Sequence, residues 1–186
     1  MRKNFGAKPW LYPMPVLIIG SYDEEGVPNA MNAAWGGISE EDEISICVSE
    51  DHKTTKNILA RGAFTVSVAD AENVVAADYV GIASGNDTPD KLKKTGWHAE
   101  KGAFVDAPLF AELPMALECQ LTSYDKKTCR LVGKIVNVSA EERILGDDGK
   151  IDLSKFSPIT YDPVGHTYRA LGAVVGHAFS DGKKLK

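Results

Sequence analysis

Cysteine is scarce in this chain and follows no pattern. Only Cys47, Cys119 and Cys129 occur among 186 residues. They are odd in number and show neither C-x-x-C nor a zinc-ligand spacing, which excludes a disulfide scaffold and a cysteine metal site. All three are expected as reduced thiols in or near the core, where free Cys behaves as a small hydrophobe. No apolar run reaches the ~20 residues of a membrane span. Arg2 and Lys3 are not followed by the apolar stretch of a secretory signal, so no membrane partner is expected and the expected location is cytoplasmic. Basic residues are outnumbered, 21 Lys and Arg against 26 Asp and Glu for a net charge of −5. They are scattered among acids, which argues against a nucleic-acid binder. His52, His98, His166 and His177 lack any ligand spacing such as H-E-x-x-H, so no metal is expected. The fingerprint G-x-G-x-x-G is absent too, which removes a Rossmann domain.

What remains is the pattern of a single, mainly β domain. Pro15 to Tyr22 is an apolar run of strand length, the D-E-E-G-V-P turn follows, and Asn29 to Trp35 returns antiparallel. Ile44, Ile46 and Val48 alternate with polar residues, as do Phe64, Val66 and Val68. Between them a helix from about His52 or Lys53 to Arg61 is expected, capped by Asp51, closed by Gly62 and held to the sheet by Ile58 and Leu59. Glu72 to Ile82 and Pro89 to Thr95 read as further short helices. Met115, Leu117, Cys119 and Leu121 alternate with Glu118, Gln120 and Thr122. A turn at Asp125 to Lys127 then leads into a long strand, Thr128 to Ala140, apolar on both faces. Such a strand is central, or covered by another subunit. The end of the chain carries a Tyr and His cluster after Pro158 and a small-residue strand, Leu171 to Phe179. At least six strands with only short helices predict a closed or partly closed antiparallel barrel.

Two stretches carry chemistry. In N-A-M-N-A-A-W-G-G, Asn29 to Gly37, small residues replace the usual Val and Ile of a strand, leaving backbone bare where a flat group can lie. In S-E-D-H-K-T-T-K-N-I, Ser49 to Ile58, polar residues surround a helix N-terminus, which favours an anion. Lys53 offers a point charge to a phosphate, Thr54 and Ser49 offer hydroxyl donors, and Asn57 a partner for a sugar or ring amide. A capped, solvated helix start is the bland reading of that loop; its pairing with the bare strand favours a planar, phosphate-bearing ligand. Ser84-Gly85 and Lys91, taken alone, read as a turn and a surface charge. No Ser-His-Asp or Cys-His arrangement emerges, and the catalytic residues stay unknown.

Five segments in order carry a resemblance. They are P-V-L-I-I-G-S-Y-D-E-E-G-V-P-N-A-M-N-A-A-W-G-G, H-K-T-T-K-N-I, A-D-Y-V-G-I-A-S-G, K-L-K-K-T-G and the ending F-S-P-I-T-Y-D-P with L-G-A-V-V-G-H-A-F-S-D-G-K. Together they cover nearly the whole chain, which resembles the flavoredoxin branch of the flavin reductase-like family. The resemblance implies an antiparallel, Greek-key split β-barrel and a homodimer with FMN near the subunit interface. It implies that Met31, Asn32, Ala33, Ala34 and Trp35 line the flavin ring, and that Ser49, Glu50, His52, Lys53, Thr54 and Asn57 hold phosphate and ribityl. Ala83, Ser84, Gly85 and Lys91 match a second set that closes over flavin and phosphate. Asn32, where Thr is common in relatives, and the acidic stretch Ile38 to Glu43 depart from the pattern. The activity implied is electron transfer through FMN from NAD(P)H or a redox protein partner to an acceptor. The alternatives are a carrier with little nicotinamide activity and a non-redox module for haem or another planar ligand on the same barrel.

Overall fold

A computed structural model describes residues 1–186. Strand β1 (Met14–Pro15) leads into β2 (Leu17–Tyr22), which is buried on both faces. Val16 and Ile18 enter one apolar cluster and Leu17 and Ile19 another, which explains the unbroken apolar run. In the turn that follows, the Asp23 carboxylate accepts the N–H groups of Glu25 and Val27. Strand β3 (Pro28–Ala33) then returns antiparallel. Strands β4 (Gly36–Glu40) and β5 (Glu43–Cys47) form the next hairpin, with Ile44, Ile46 and Val48 buried as their alternation predicts.

Helix α1 (Lys53–Arg61) stops at Gly62, whose φ of 69° is left-handed, and β6 (Ala63–Val68) follows. Helices α2 (Val74–Ile82) and α3 (Lys91–Thr95) lie outside the sheet, as does a small hairpin of β7 (Ala99–Lys101) and β8 (Pro108–Phe110). The long hairpin β9 (Met115–Asp125) and β10 (Arg130–Ala140) completes the main sheet. Strands β11 (Ile159–Asp162) and β12 (Thr167–Ala170) form a separate sheet with β1.

The main sheet is antiparallel in the order β3-β2-β6-β9-β10-β5-β4. Strands β3 and β4 are neighbours in sequence but sit at opposite edges, joined only by Ala34 and Trp35. Three Cα steps reach at most about 11 Å, so the sheet must curl until its edges approach. The result is the mainly β split barrel expected from the sequence. Ile19, Ile46, Val48, Ile58, Phe64, Val66 and Leu131 fill its interior. On the outer face Ile18, Ala77, Val80, Leu92, Trp97 and Phe110 pack α2 and α3 onto the sheet.

Several expectations need correction. His52, not Asp51, is the N-cap of α1, and no side chain caps it. Leu59 is exposed, so Ile58 is the apolar residue that this helix buries, beside Thr54, Thr55 and Asn57. Helix α2 starts at Val74, because the Asp70 carboxylate binds the Asn73 N–H and amide and holds the preceding turn. Gly36–Glu40, with little strand signal, is an edge strand. Leu171–Phe179 forms no strand and is exposed throughout, the last strand being Thr167–Ala170. Of the thiols Cys119 is buried, Cys129 half-buried and Cys47 exposed. Glu118, read as a polar-face residue, is buried, accepting from the Phe104 N–H at 2.8 Å and the Asn137 amide at 2.9 Å. It fastens the chain before β8 to the β9–β10 hairpin.

The interior is packed to its limit at β10. A methyl group at Gly133 would lie 2.4 Å from Cζ of the buried Phe64, whereas one at Gly37 meets nothing within 4 Å. Gly133→Ala is therefore expected to destabilise the protein by about 1–3 kcal/mol. Denaturant unfolding should show this loss while Gly37→Ala stays close to the parent.

Candidate functional site

A cavity of about 650 Å³ lies beside the β3 edge of the barrel, within the usual range of a cofactor pocket. Met31 to Trp35 form one wall, and Val48, Ser49 and His52 come from the end of β5 and the start of α1. Asp78, Gly81 and Ile82 of α2 and Tyr161, His166 and Tyr168 of the β11–β12 hairpin close the other sides. A second cavity of about 190 Å³ shares Met31, Asn32, His52, Gly81 and Ile82 with the first. It continues along Lys53, Thr54, Ala83, Ser84, Gly85 and Lys91. The first is mostly apolar, and the second has two lysines and a histidine with no carboxylate.

The strand wall follows from topology. As an edge strand, β3 bonds only to β2, so alternate residues turn their N–H and C=O groups away from the sheet. The Asn32 amide donates to the Ala77 carbonyl at 3.0 Å, tying this wall to α2. Gly81 lets them close up, since a methyl group there would sit 3.1 Å from Asn32 Cβ. Trp35 lies beyond the end of β3 and is more than half exposed.

The narrow cavity is built around two helix ends. The N-terminus of α1 is without a side-chain cap, leaving first-turn N–H groups and the positive end of the dipole for an anion. Thr54 is buried and accepts the Asn29 amide at 2.7 Å, keeping its own hydroxyl hydrogen to donate. Lys53 Nζ stands 3.2 Å from Asp23. Burial pushes the Asp23 carboxyl up, but the Val27 N–H and the Lys53 ammonium outweigh it and hold it below its ordinary value. The C-terminus of α2 brings carbonyls, which would repel an anion. Lys91 answers them: far from being a surface charge, it is buried, donating to the Val80 carbonyl at 3.0 Å and the Ala83 carbonyl at 2.7 Å. Burial lowers its pKa to about 8. Gly85 allows close approach, because a methyl group would fall 2.6 Å from Asn29 Oδ1.

Sequence reasoning thus selected residues that the fold brings together, with two exceptions. Asn57 is buried with its amide 3.1 Å from Ser21 Oγ, and Glu50 pairs with Lys126; neither lines either cavity. Overlooked were Asp78 and Gly81, Cys47 and Cys129, and the aromatic hairpin. There the Tyr168 hydroxyl donates to Asp78 at 2.8 Å, and burial with that carboxylate pushes its pKa up to about 12. Tyr161 and His166 share a hydrogen bond at 2.9 Å. The Tyr and His cluster after Pro158 was their signal.

Residues 10–164 match the model of the flavin reductase like domain. Flavoredoxin of Desulfovibrio vulgaris (Miyazaki F) is 38% identical, with a TM-score of 0.93 over 98% of this chain and 100% of that one. Flavoredoxin from Methanosarcina acetivorans is 27% identical, with a TM-score of 0.88 over 100% of both chains. An uncharacterized protein of Aeropyrum pernix is 26% identical over 112 residues, covering 60% of this chain and 43% of its own length.

Lys91 makes the site pH-sensitive in a defined direction. Its folded pKa of about 8 lies below the ordinary 10.5, so the unfolded chain holds more protons in that window and stability rises with pH through it. Lys91→Met should flatten this rise, by roughly 2–3 kcal/mol across the window. Urea unfolding of both proteins at pH 7.5 and at about pH 10 checks the difference; parallel curves would contradict it.

Proposed function

The chain belongs to the flavin reductase-like domain family, within its flavoredoxin branch, and on that premise we propose that it binds FMN and passes electrons through it. The observation that carries this reading is the joined pair of cavities, an apolar one of about 650 Å³ continuing into a carboxylate-free annexe with Lys53, Thr54 and the α1 N-terminus. An apolar planar head with an anionic tail matches that division of chemistry. Bound flavin supplies the redox step itself. The residues hold and tune it: edge backbone of Met31 to Ala34 against the head, Lys53, Thr54 and Ser84 around the phosphate, and Lys91 masking the α2 carbonyls beside it. Donors fixed in advance near a developing negative charge stabilise it without reorganisation. NAD(P)H or a redox protein is the proposed electron donor.

A homodimer belongs to the same proposal. Every residue from Leu171 to Lys186 is exposed, Val174, Val175 and Phe179 among them, and an apolar tail lying free over a single copy costs hydrophobic energy that a second copy would recover.

The purified protein is expected to take up FMN well ahead of riboflavin, and Lys53→Ala to weaken FMN by about 1.5–3 kcal/mol. Equal affinity for both flavins in a fluorescence titration would remove the phosphate site. Anaerobic addition of NADH or NADPH then separates the enzyme from the carrier: bleaching of the flavin absorbance within seconds marks a reductase, and no bleaching a carrier fed by protein. Sedimentation should show a dimer that removal of residues 171–186 weakens; a parent protein sedimenting at single-chain mass would overturn the dimer.

A further inference from the structure

Cys47 and Cys129 stand together at the wide cavity, and the flavin reading gives them no task. Cys47 ends β5 and is registered against Arg130, while the Val48 N–H donates to the Cys129 carbonyl at 2.8 Å. The two cysteines are therefore one residue out of direct register. Such an offset puts α-carbons roughly 6 Å apart, inside the window of about 4.4–6.8 Å that a disulfide accepts. In a regular ladder the two side chains would leave opposite faces. Cys129, however, precedes β10 and has a φ of 56°, in the left-handed region, so pleat alternation does not govern it. Both cysteines line the same cavity of about 650 Å³. Cys47 Sγ lies 3.8 Å from the carbonyl of Thr128, the residue just before Cys129. The remaining thiol, Cys119, is buried in the barrel, where burial and Glu118 push its pKa up to about 12, leaving it inert.

We propose that Cys47 and Cys129 form a redox-active dithiol at the cavity mouth that takes low-molecular-weight disulfides as substrate. Exposed Cys47 makes the first attack and half-buried Cys129 resolves. Cys47, as thiolate, attacks one sulfur of the disulfide; the S–S bond breaks, and the first thiol leaves as Cys47 becomes a mixed disulfide. Cys129, as thiolate, then attacks the Cys47 sulfur and displaces the second thiol. The protons of the two cysteines end on the two released thiols, so two protein thiols are oxidised and one disulfide is reduced.

Fully reduced protein treated with glutathione disulfide, then alkylated and mapped by mass spectrometry, tests this. The expected product loses two alkylatable thiols, retains no glutathione and yields one peptide linked through Cys47 and Cys129. Cys129→Ser should retain one glutathione on Cys47, and Cys47→Ser should form no linked peptide; far-ultraviolet circular dichroism of both variants checks their fold. Stable glutathione adducts on the parent protein, a Cys47 link between two copies, or unreacted thiols would each overturn the proposal. The thiol chemistry is read by peptide mass and not by flavin absorbance, so failure here leaves the FMN titration untouched, and the converse holds.

Discussion

The two-residue join between β3 and β4 is the constraint on which the rest of the structure depends. Those strands are the outer edges of a seven-stranded sheet, and Ala34 and Trp35 cannot reach between them unless the sheet rolls up. Rolling creates an interior, and the interior is filled by residues that alternate along β2, β5, β6 and β9. It also leaves a seam, because β3 and β4 do not hydrogen-bond to each other. The wide cavity opens beside that seam, along β3, the Ala34–Trp35 join and the end of β5. Its wall of small residues is the price of bringing backbone to the surface at an edge that the fold does not cover.

Electrostatics divides the site into two parts. Helix α1 presents N–H groups to the narrow cavity and α2 presents carbonyls, so one helix end attracts an anion and the other opposes it. Lys91 cancels the second at the cost of a buried ammonium, visible in its lowered pKa. Lys53 is partnered by Asp23 across the hairpin turn. The β2–β3 turn, the start of α1 and the loop after α2 are therefore coupled through charges and through the close approach of Gly85 to Asn29 and Lys53. A substitution in the turn that holds Asp23 reaches the narrow cavity through Lys53 without lining it.

Much of the fold was legible because period and punctuation act locally. The alternation of Ile44, Ile46 and Val48 and of Phe64 and Val66, the Gly62 stop of α1 and the turn after Tyr22 all stand where local rules place them. Misreadings fell where a distant partner overrides the local signal. Glu118 looks like a solvated strand residue, yet the Phe104 N–H and Asn137 amide hold it in the interior. Leu171–Phe179 looks like a strand but pairs with no strand within one copy. Asn57 looks like a solvent-facing donor, yet it is buried with its amide on Ser21 and lines neither cavity.

The sequence by itself determined the class of fold, the small-residue wall from Met31 to Trp35 and the polar helix start at Lys53 and Thr54, since each rests on residues close together in the chain. Only the tertiary structure decided which way those residues face. It turned Lys91 from a surface charge into a buried mask on α2, and brought Asp78, Tyr168 and the His166 hairpin to the cavity. It also placed Cys47 beside Cys129 across 82 positions of chain. The physical reason is the same in each case: propensity and periodicity act over a few residues, whereas burial and ion pairing are settled by whatever the closed barrel brings alongside.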